Sequence, residues 1–276
     1  MHSFIKIVII TTVIGITLLT QGCVSPQNSS GNSSNTSMVN NFIVAEPLPI
    51  NYKSEIAIAR LSEVLNRVKI TDDQRAQLFY DRGVLYDSVG LRSLARLDFT
   101  HALKLKPTLV DAYNFLGIHY TQLQEFSQAY ENFDSALDLA PQHEYAYLNR
   151  GIALYYGSRP ELAAIDFNNF HNKQQDDPYR LLWLYLTEHE IDPVKAKESL
   201  KNRAVYVDDL TWAKQVISVY LGELSQEEFI ASLTQNIRSN RELTDRLCEA
   251  YFYLGKYNQI LGSPNAAANF FKLSLS

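Results

Sequence analysis

The sequence predicts an all-α fold, a solenoid of helical hairpins with degenerate hairpins in its middle. Three observations predict it. Gly83, Gly117 and Gly151 recur at a spacing of 34 residues. The same small and aromatic types follow each glycine: Ala95, Phe99, Ala102 and Pro107 in the first unit, Ala129, Phe133, Ala136 and Pro141 in the second. The remainder of the chain beyond residue 50 keeps a helical apolar period.

Phe79 and Tyr86 complete the first unit, and Tyr113, Leu116 and Tyr120 the second. The third has Tyr147, Ala163 and Phe167, then loses the register, with its proline at Pro178. This is the tetratricopeptide pattern, a helix–turn–helix of 34 residues. The small residues let the first helix (A) of a hairpin approach the second (B), and the aromatics fill the space between hairpins. Proline disfavours a helical residue before it and so restarts the chain. No single hairpin buries its apolar face, so units stack. The repeats fall at about 76–109, 110–143 and 144–177.

Residues 1–22 read as an export signal. Lys6 is their one charge and Ile7 to Leu19 is apolar apart from threonines and one glycine, too short to span a bilayer comfortably. Gly22-Cys23 after such a region resembles a bacterial lipoprotein signal, in which Cys23 is acylated. The alternative is ordinary secretion with Cys23 as a stray thiol. Val24 follows where an aspartate retains many such proteins at the inner membrane, which favours the outer membrane. Residues 23–44 then form the anchor cysteine and a tether, because Ser25 to Asn41 is uncharged and rich in serine and asparagine. A flexible stretch of that length reaches roughly 20–25 Å.

The helical domain is placed at 45–276. Ser54 to Lys69 has Ile56, Ala59, Leu61, Val64, Leu65 and Val68 on or near one face. It reads as a cap over the open end of the solenoid or as a dimerisation element. Thr71-Asp72-Asp73-Gln74 is a capping box that starts the helix carrying Phe79. Degenerate hairpins occupy 178–240. They comprise an apolar helix with Leu181, Leu182, Leu184, Tyr185 and Leu186, a start at Asp192-Pro193, and helices over Trp212–Leu221 and Ser225–Ile237. A partial repeat returns over 248–276 with Tyr251, Leu254, Gly255, Ala267 and Phe271. Phe270, Leu273 or Leu275 is expected to stay partly uncovered there or to be covered by a partner. Cys248 falls in an apolar helical pattern and is expected to be buried.

Composition narrows the function. The chain has 25 basic and 30 acidic side chains, and without residues 1–22 the balance is net −6. An acidic body with no basic run is a poor phosphate-backbone binder, so no nucleic acid is expected. His143-Glu144 and His189-Glu190 lack the second histidine of a zinc protease, and there is no nucleophile elbow or phosphate loop. Asp72-Asp73, Asp176-Asp177 and Asp208-Asp209 sit at expected helix starts or turns, where they complement the helix dipole. No catalytic residue, metal or cofactor is expected.

Function must then lie on a surface. The A-helix positions pointing away from the repeat signature are Tyr80, Asp81, Val84, Asn114, Phe115, Ile118, Asn149, Ile152 and Tyr156. Tyr80, Phe115 and Tyr156 offer apolar anchors for a partner peptide, and the Asn114 and Asn149 amides could bond an extended backbone. The alternative is that these residues pack against a later helix of the same chain.

Three stretches carry a closer likeness. They are Gln77-Leu78-Phe79-Tyr80-Asp81-Arg82-Gly83-Val84-Leu85-Tyr86-Asp87-Ser88, then Leu148-Asn149-Arg150-Gly151-Ile152-Ala153-Leu154-Tyr155-Tyr156-Gly157, and Tyr253-Leu254-Gly255-Lys256-Tyr257. From about Glu46 to Leu273 the chain resembles the NlpI-type lipoproteins of Gram-negative bacteria. Thr20 in the lipobox, the long Ser/Asn tether and the stop at Ser276 depart from that family. The resemblance implies a homodimeric, non-catalytic adaptor, lipid-anchored to the outer membrane and facing the periplasm. It implies as partners a tail-specific (carboxy-terminal processing) protease and peptidoglycan endopeptidases, brought together on one scaffold. A rival reading is a pilotin or assembly chaperone that escorts an outer-membrane subunit.

Overall fold

The computed structural model describes residues 42–47, 52–67, 69–209 and 211–275. The expected signal, Cys23 and almost all of the tether lie outside the described residues. Among the described residues the regular structure is helical throughout, in this order: α1 Tyr52–Arg67, α2 Asp72–Ser88, α3 Arg92–Leu105, α4 Val110–Gln122, α5 Phe126–Leu139, α6 Glu144–Tyr156 and α7 Pro160–His171. There follow α8 Pro178–Ile191, α9 Pro193–Arg203, a 3-10 turn Ala204–Tyr206, α10 Trp212–Leu221, α11 Gln226–Ser232, α12 Asn240–Ile260 and α13 Pro264–Leu273.

The repeat pattern builds four hairpins: α2/α3, α4/α5, α6/α7 and α12/α13. Each closes on the same contact. A Cβ added at Gly83, Gly117, Gly151 or Gly255 would lie 2.7, 2.6, 3.0 or 2.5 Å from the ring of Phe99, Phe133, Phe167 or Phe271. The glycine admits the ring, and the ring fixes how closely the two helices pack. The third hairpin is complete in this respect, although its proline register is lost. Each A-to-B turn also needs one residue in left-handed backbone, filled by Gly90 (φ 79°), Gln124 (φ 61°), Ser158 (φ 59°) and Gly262 (φ 68°).

Local signals read from the sequence hold. Thr71 and Gln74 form both halves of the capping box on α2. Asp177 caps α8 through the amides of Tyr179 and Arg180, Asp192 caps α9, and Ser225 with Glu228 forms a second capping box on α11. In α8 the side chains of Leu181, Leu182, Leu184, Tyr185 and Leu186 are all buried. Arg180 ties this helix to the third repeat, with Nη1 donating at 2.8 Å to Glu144 and at 2.8 Å to the Phe170 carbonyl.

Three expectations change, and a fourth is settled. Helix α11 ends at Ser232, not Ile237, because Leu233 turns inward and Asn236 takes left-handed backbone. Ile56 and Ala59 of α1 are exposed, while Leu61 and Val64 are half-buried and Leu65 is buried. The expected uncovered end falls on Leu275, which is exposed, while Phe270 is buried against Tyr251 at a ring distance of 6.0 Å. Cys248 is exposed, because Leu247 and Tyr251 on either side of it take the buried face of α12.

Candidate functional site: the A-helix face and the helix laid against it

Helices α2, α4 and α6 present the nine expected groove residues, and packing sorts them into groups. Phe115 stacks on Phe99 at 4.9 Å, and Tyr80 meets both rings at 5.9 and 6.2 Å. These two aromatics, with Val84, bridge the first and second hairpins and are half-buried. Burial first, then the Asp111 and Asp81 carboxylates, push the Tyr80 hydroxyl up to about 12. Asp81 accepts from Gln77 at 2.9 Å. Ile118 packs on the cluster of Ala129, Phe133 and Ala153, and Ile152 on that of Leu154, Ala163, Phe167 and Leu184.

The two asparagines come together. Asn149 Nδ2 donates to Asn114 Oδ1 at 3.0 Å, and Asn114 is buried. One donor and one acceptor of the pair are thereby used inside the fold. Asn149 keeps its carbonyl oxygen, and the Asn114 amide nitrogen remains to bond a neighbour.

Tyr156 stands apart from the other eight. It is 45% exposed, meets the Tyr155 ring edge-on at 5.2 Å, and also faces α12. The Lys256 ammonium lies 4.4 Å from the Tyr156 ring centroid and 4.7 Å from that of Tyr155. Lys256 is only 4% exposed. Burial pulls its pKa down to about 8, against a weaker pull from Glu190. Beside it opens a cleft of about 750 Å³ lined by Tyr155, Tyr156, Glu190, Pro193, Lys256 and Gln259.

Further contacts bind α12 to the degenerate hairpins. Phe252 packs on Trp183 at 5.7 Å, Tyr179 donates to Glu249, and Tyr220 donates to the Tyr253 carbonyl at 2.7 Å. The last repeat therefore folds back on α6, α8 and α10. None of this has a periodic signal, since the partners stand from 33 residues apart, for Tyr220 and Tyr253, to 100 apart, for Tyr156 and Lys256.

Two ion pairs had a legible signal that the repeat pattern overshadowed. Arg82 grips Asp98 through Nε at 2.6 Å and Nη2 at 2.8 Å. Arg150 grips Asp166 in the same fork, both bonds at 2.8 Å, and adds Asp134 at 2.6 Å. In both cases Arg precedes the repeat glycine and Asp precedes the repeat phenylalanine. The second unit has Leu116 and Asn132 at these places, and the last has Leu254 and Phe270.

Among the described residues no group of three or more His, Cys, Asp and Glu is placed to hold a metal ion, and no helix is long and apolar enough to cross a membrane.

The tetratricopeptide repeat family model matches residues 110–143, the α4/α5 hairpin. The α4/α5 hairpin is a tetratricopeptide repeat, and the chain has a tetratricopeptide-like solenoid fold. A tetratricopeptide repeat protein from Parabacteroides merdae has a similar fold, with TM-score 0.51 and 17% identity over 81% of this chain and 78% of that one. The Cut9–Hcn1 hetero-tetramer of the APC/C is similar at TM-score 0.52 and 16% identity, over 81% of this chain and 46% of that one.

Proposed function

We propose that this protein is an outer-membrane lipoprotein adaptor, anchored through Cys23. It holds a tail-specific periplasmic protease and peptidoglycan endopeptidases on one scaffold and thereby sets endopeptidase turnover. The partner classes come from the NlpI-type resemblance in the three stretches quoted above. Its lever is effective concentration, since two partners on one body meet as if linked.

The observation that carries a two-partner reading is a pair of apolar steps on the B helices. Leu94 and Leu97 on α3 are 43% and 51% exposed, and Leu162 and Ile165 on α7 are 49% and 58% exposed. They hold the same register places two repeats apart. The repeat between them has exposed Gln128 and Glu131 at those places, so the fold itself does not require apolar residues there. Exposed apolar groups beyond structural need mark contact surfaces. They lie on other helices than the α2, α4 and α6 face, which gives the scaffold two surfaces.

The test is degradation in purified components: this protein, a tail-specific protease and a candidate endopeptidase, with the endopeptidase followed over time. Faster loss only when this protein is present supports the adaptor. No acceleration, together with a stable complex to a single outer-membrane subunit, replaces it with the escort reading.

A further inference from the structure

The segment Ile43–Pro47 lies on α12, some 200 residues away in sequence, and is held by two side chains. The Ile43 amide donates to the Tyr251 hydroxyl at 2.9 Å, and that hydroxyl donates back to the Ile43 carbonyl at 2.7 Å. The Glu46 amide donates to Asn240 Oδ1 at 3.2 Å, and Asn240 Nδ2 donates to the Glu46 carbonyl at 2.8 Å. Each side chain thus satisfies both main-chain groups of one residue. Eleven helical positions separate Asn240 from Tyr251, and eleven steps return to within about 20° of the same face. The segment runs antiparallel to the helix, Ile43 beside Tyr251 and Glu46 beside Asn240.

All four bonds go to the main chain. The side chains of Val44, Glu46 and Pro47 are exposed, and Ile43 and Ala45 are only half-buried. These four bonds read none of the segment's side chains. An extended stretch of another protein that offers two N–H and C=O pairs at the same separation makes the same four bonds. Main-chain bonds then supply the hold, as in other modes of extended-peptide recognition.

We propose that the Asn240–Tyr251 face of α12 is a binding site for an extended peptide, occupied in cis by residues 43–47. A partner segment gains it by displacing that strap. This rests on the scaffold reading and names one of its partner surfaces. It is separate from the α2, α4 and α6 face. The strap acts as a built-in competitor, so apparent affinity is reduced by the fraction of time it is docked.

The probe is a fluorescein-labelled peptide of residues 43–47, titrated into the full chain. A chain carrying Ile43→Pro and Glu46→Pro loses both strap amide donors and leaves the site open. It should take the peptide about tenfold or more tighter than the unaltered chain. A peptide with its first four residues scrambled and its proline kept last should bind about equally, and one with proline at its first and fourth places should not bind. Adding Asn240→Ala or Tyr251→Phe to the opened chain should remove binding, and Tyr251→Phe keeps the ring that packs on Phe270. Equal affinity in the opened and unaltered chains overturns the proposal. So does binding that survives both site variants, or self-association of the opened chain with no peptide uptake. A full complement of protease and endopeptidase binding alongside any of those results would leave the adaptor standing and remove only this site.

Discussion

Arg150 and Asp166 form a two-pronged ion pair inside the third hairpin, with Nε and Nη2 each 2.8 Å from a carboxylate oxygen. Asp166 is 1% exposed. Burial raises its pKa, and the bonds from Arg150 pull the other way. The guanidinium is correspondingly held charged by Asp166 and Asp134. Asp166→Ala strands the arginine, which still reaches Asp134 and some solvent. The loss should be about 2–3 kcal/mol in urea unfolding, at the low end for a broken buried pair. Replacing both partners with leucine should cost under about 1 kcal/mol, since apolar pairs of similar volume are tolerated. A double variant as weak as the single one would show that the pair is needed for packing and not only for its charge.

Gly117 and Gly151 hold the same repeat place but leave different space, 2.6 Å and 3.0 Å to the facing ring. Alanine in a helix gains about 1 kcal/mol over glycine. At Gly117 the clash with Phe133 should exceed that gain, for a net loss of about 1–2 kcal/mol. At Gly151 the two terms should nearly cancel. Thermal melts of the two variants give the order directly, and a larger loss at Gly151 would refute it.

Gln124 and Ser158 sit in left-handed backbone at turns where the first and last repeats have Gly90 and Gly262. Non-glycine residues carry about 1–2 kcal/mol of strain there. Gln124→Gly should therefore stabilise the chain by up to about 1 kcal/mol after the added unfolded-state freedom of glycine is subtracted. A lower melting temperature would count against the strain.

Lys256 has its pKa lowered to about 8 by burial among aromatic rings. An unfolded lysine titrates near about 10.4. Between those values the unfolded chain holds more protons, so stability should rise with pH. The cost of the buried charge is fully present below pH 8 and relieved above it. Lys256→Met should stabilise the chain by about 1–3 kcal/mol at pH 7, the cation–π contacts offsetting part of the gain. It should also flatten the rise between about pH 8 and 9.5. Unfolding curves at three pH values decide it; an unchanged slope in the variant would assign the rise to another group.

Cys248 is exposed, and burial of part of its surface with the Glu249 and Asp245 carboxylates raises its thiol pKa. It should react with a maleimide in the folded chain, but slowly at pH 7, because the thiolate is the reactive form. Cys248→Ser should change stability by under about 0.5 kcal/mol. Fast labelling at pH 7 would contradict the raised pKa.

The sequence by itself determined the hairpins. Gly83, Phe99 and their counterparts recur because each pair acts within 34 residues, so the signal repeats with every unit. Caps at Thr71, Asp177 and Ser225 were equally legible, since a cap joins a side chain to an amide two or three positions on. Tertiary structure alone decided how the groove residues are spent: Tyr80 and Phe115 between hairpins, Asn114 on Asn149, Tyr156 under Lys256. It also decided that α12 folds back on α6 and α8 and that Ile43 reaches Tyr251 across 208 residues. Those contacts join unrelated positions once each. A period records what every repeat needs to pack on its neighbour, and a contact made a single time between distant segments leaves no period to read.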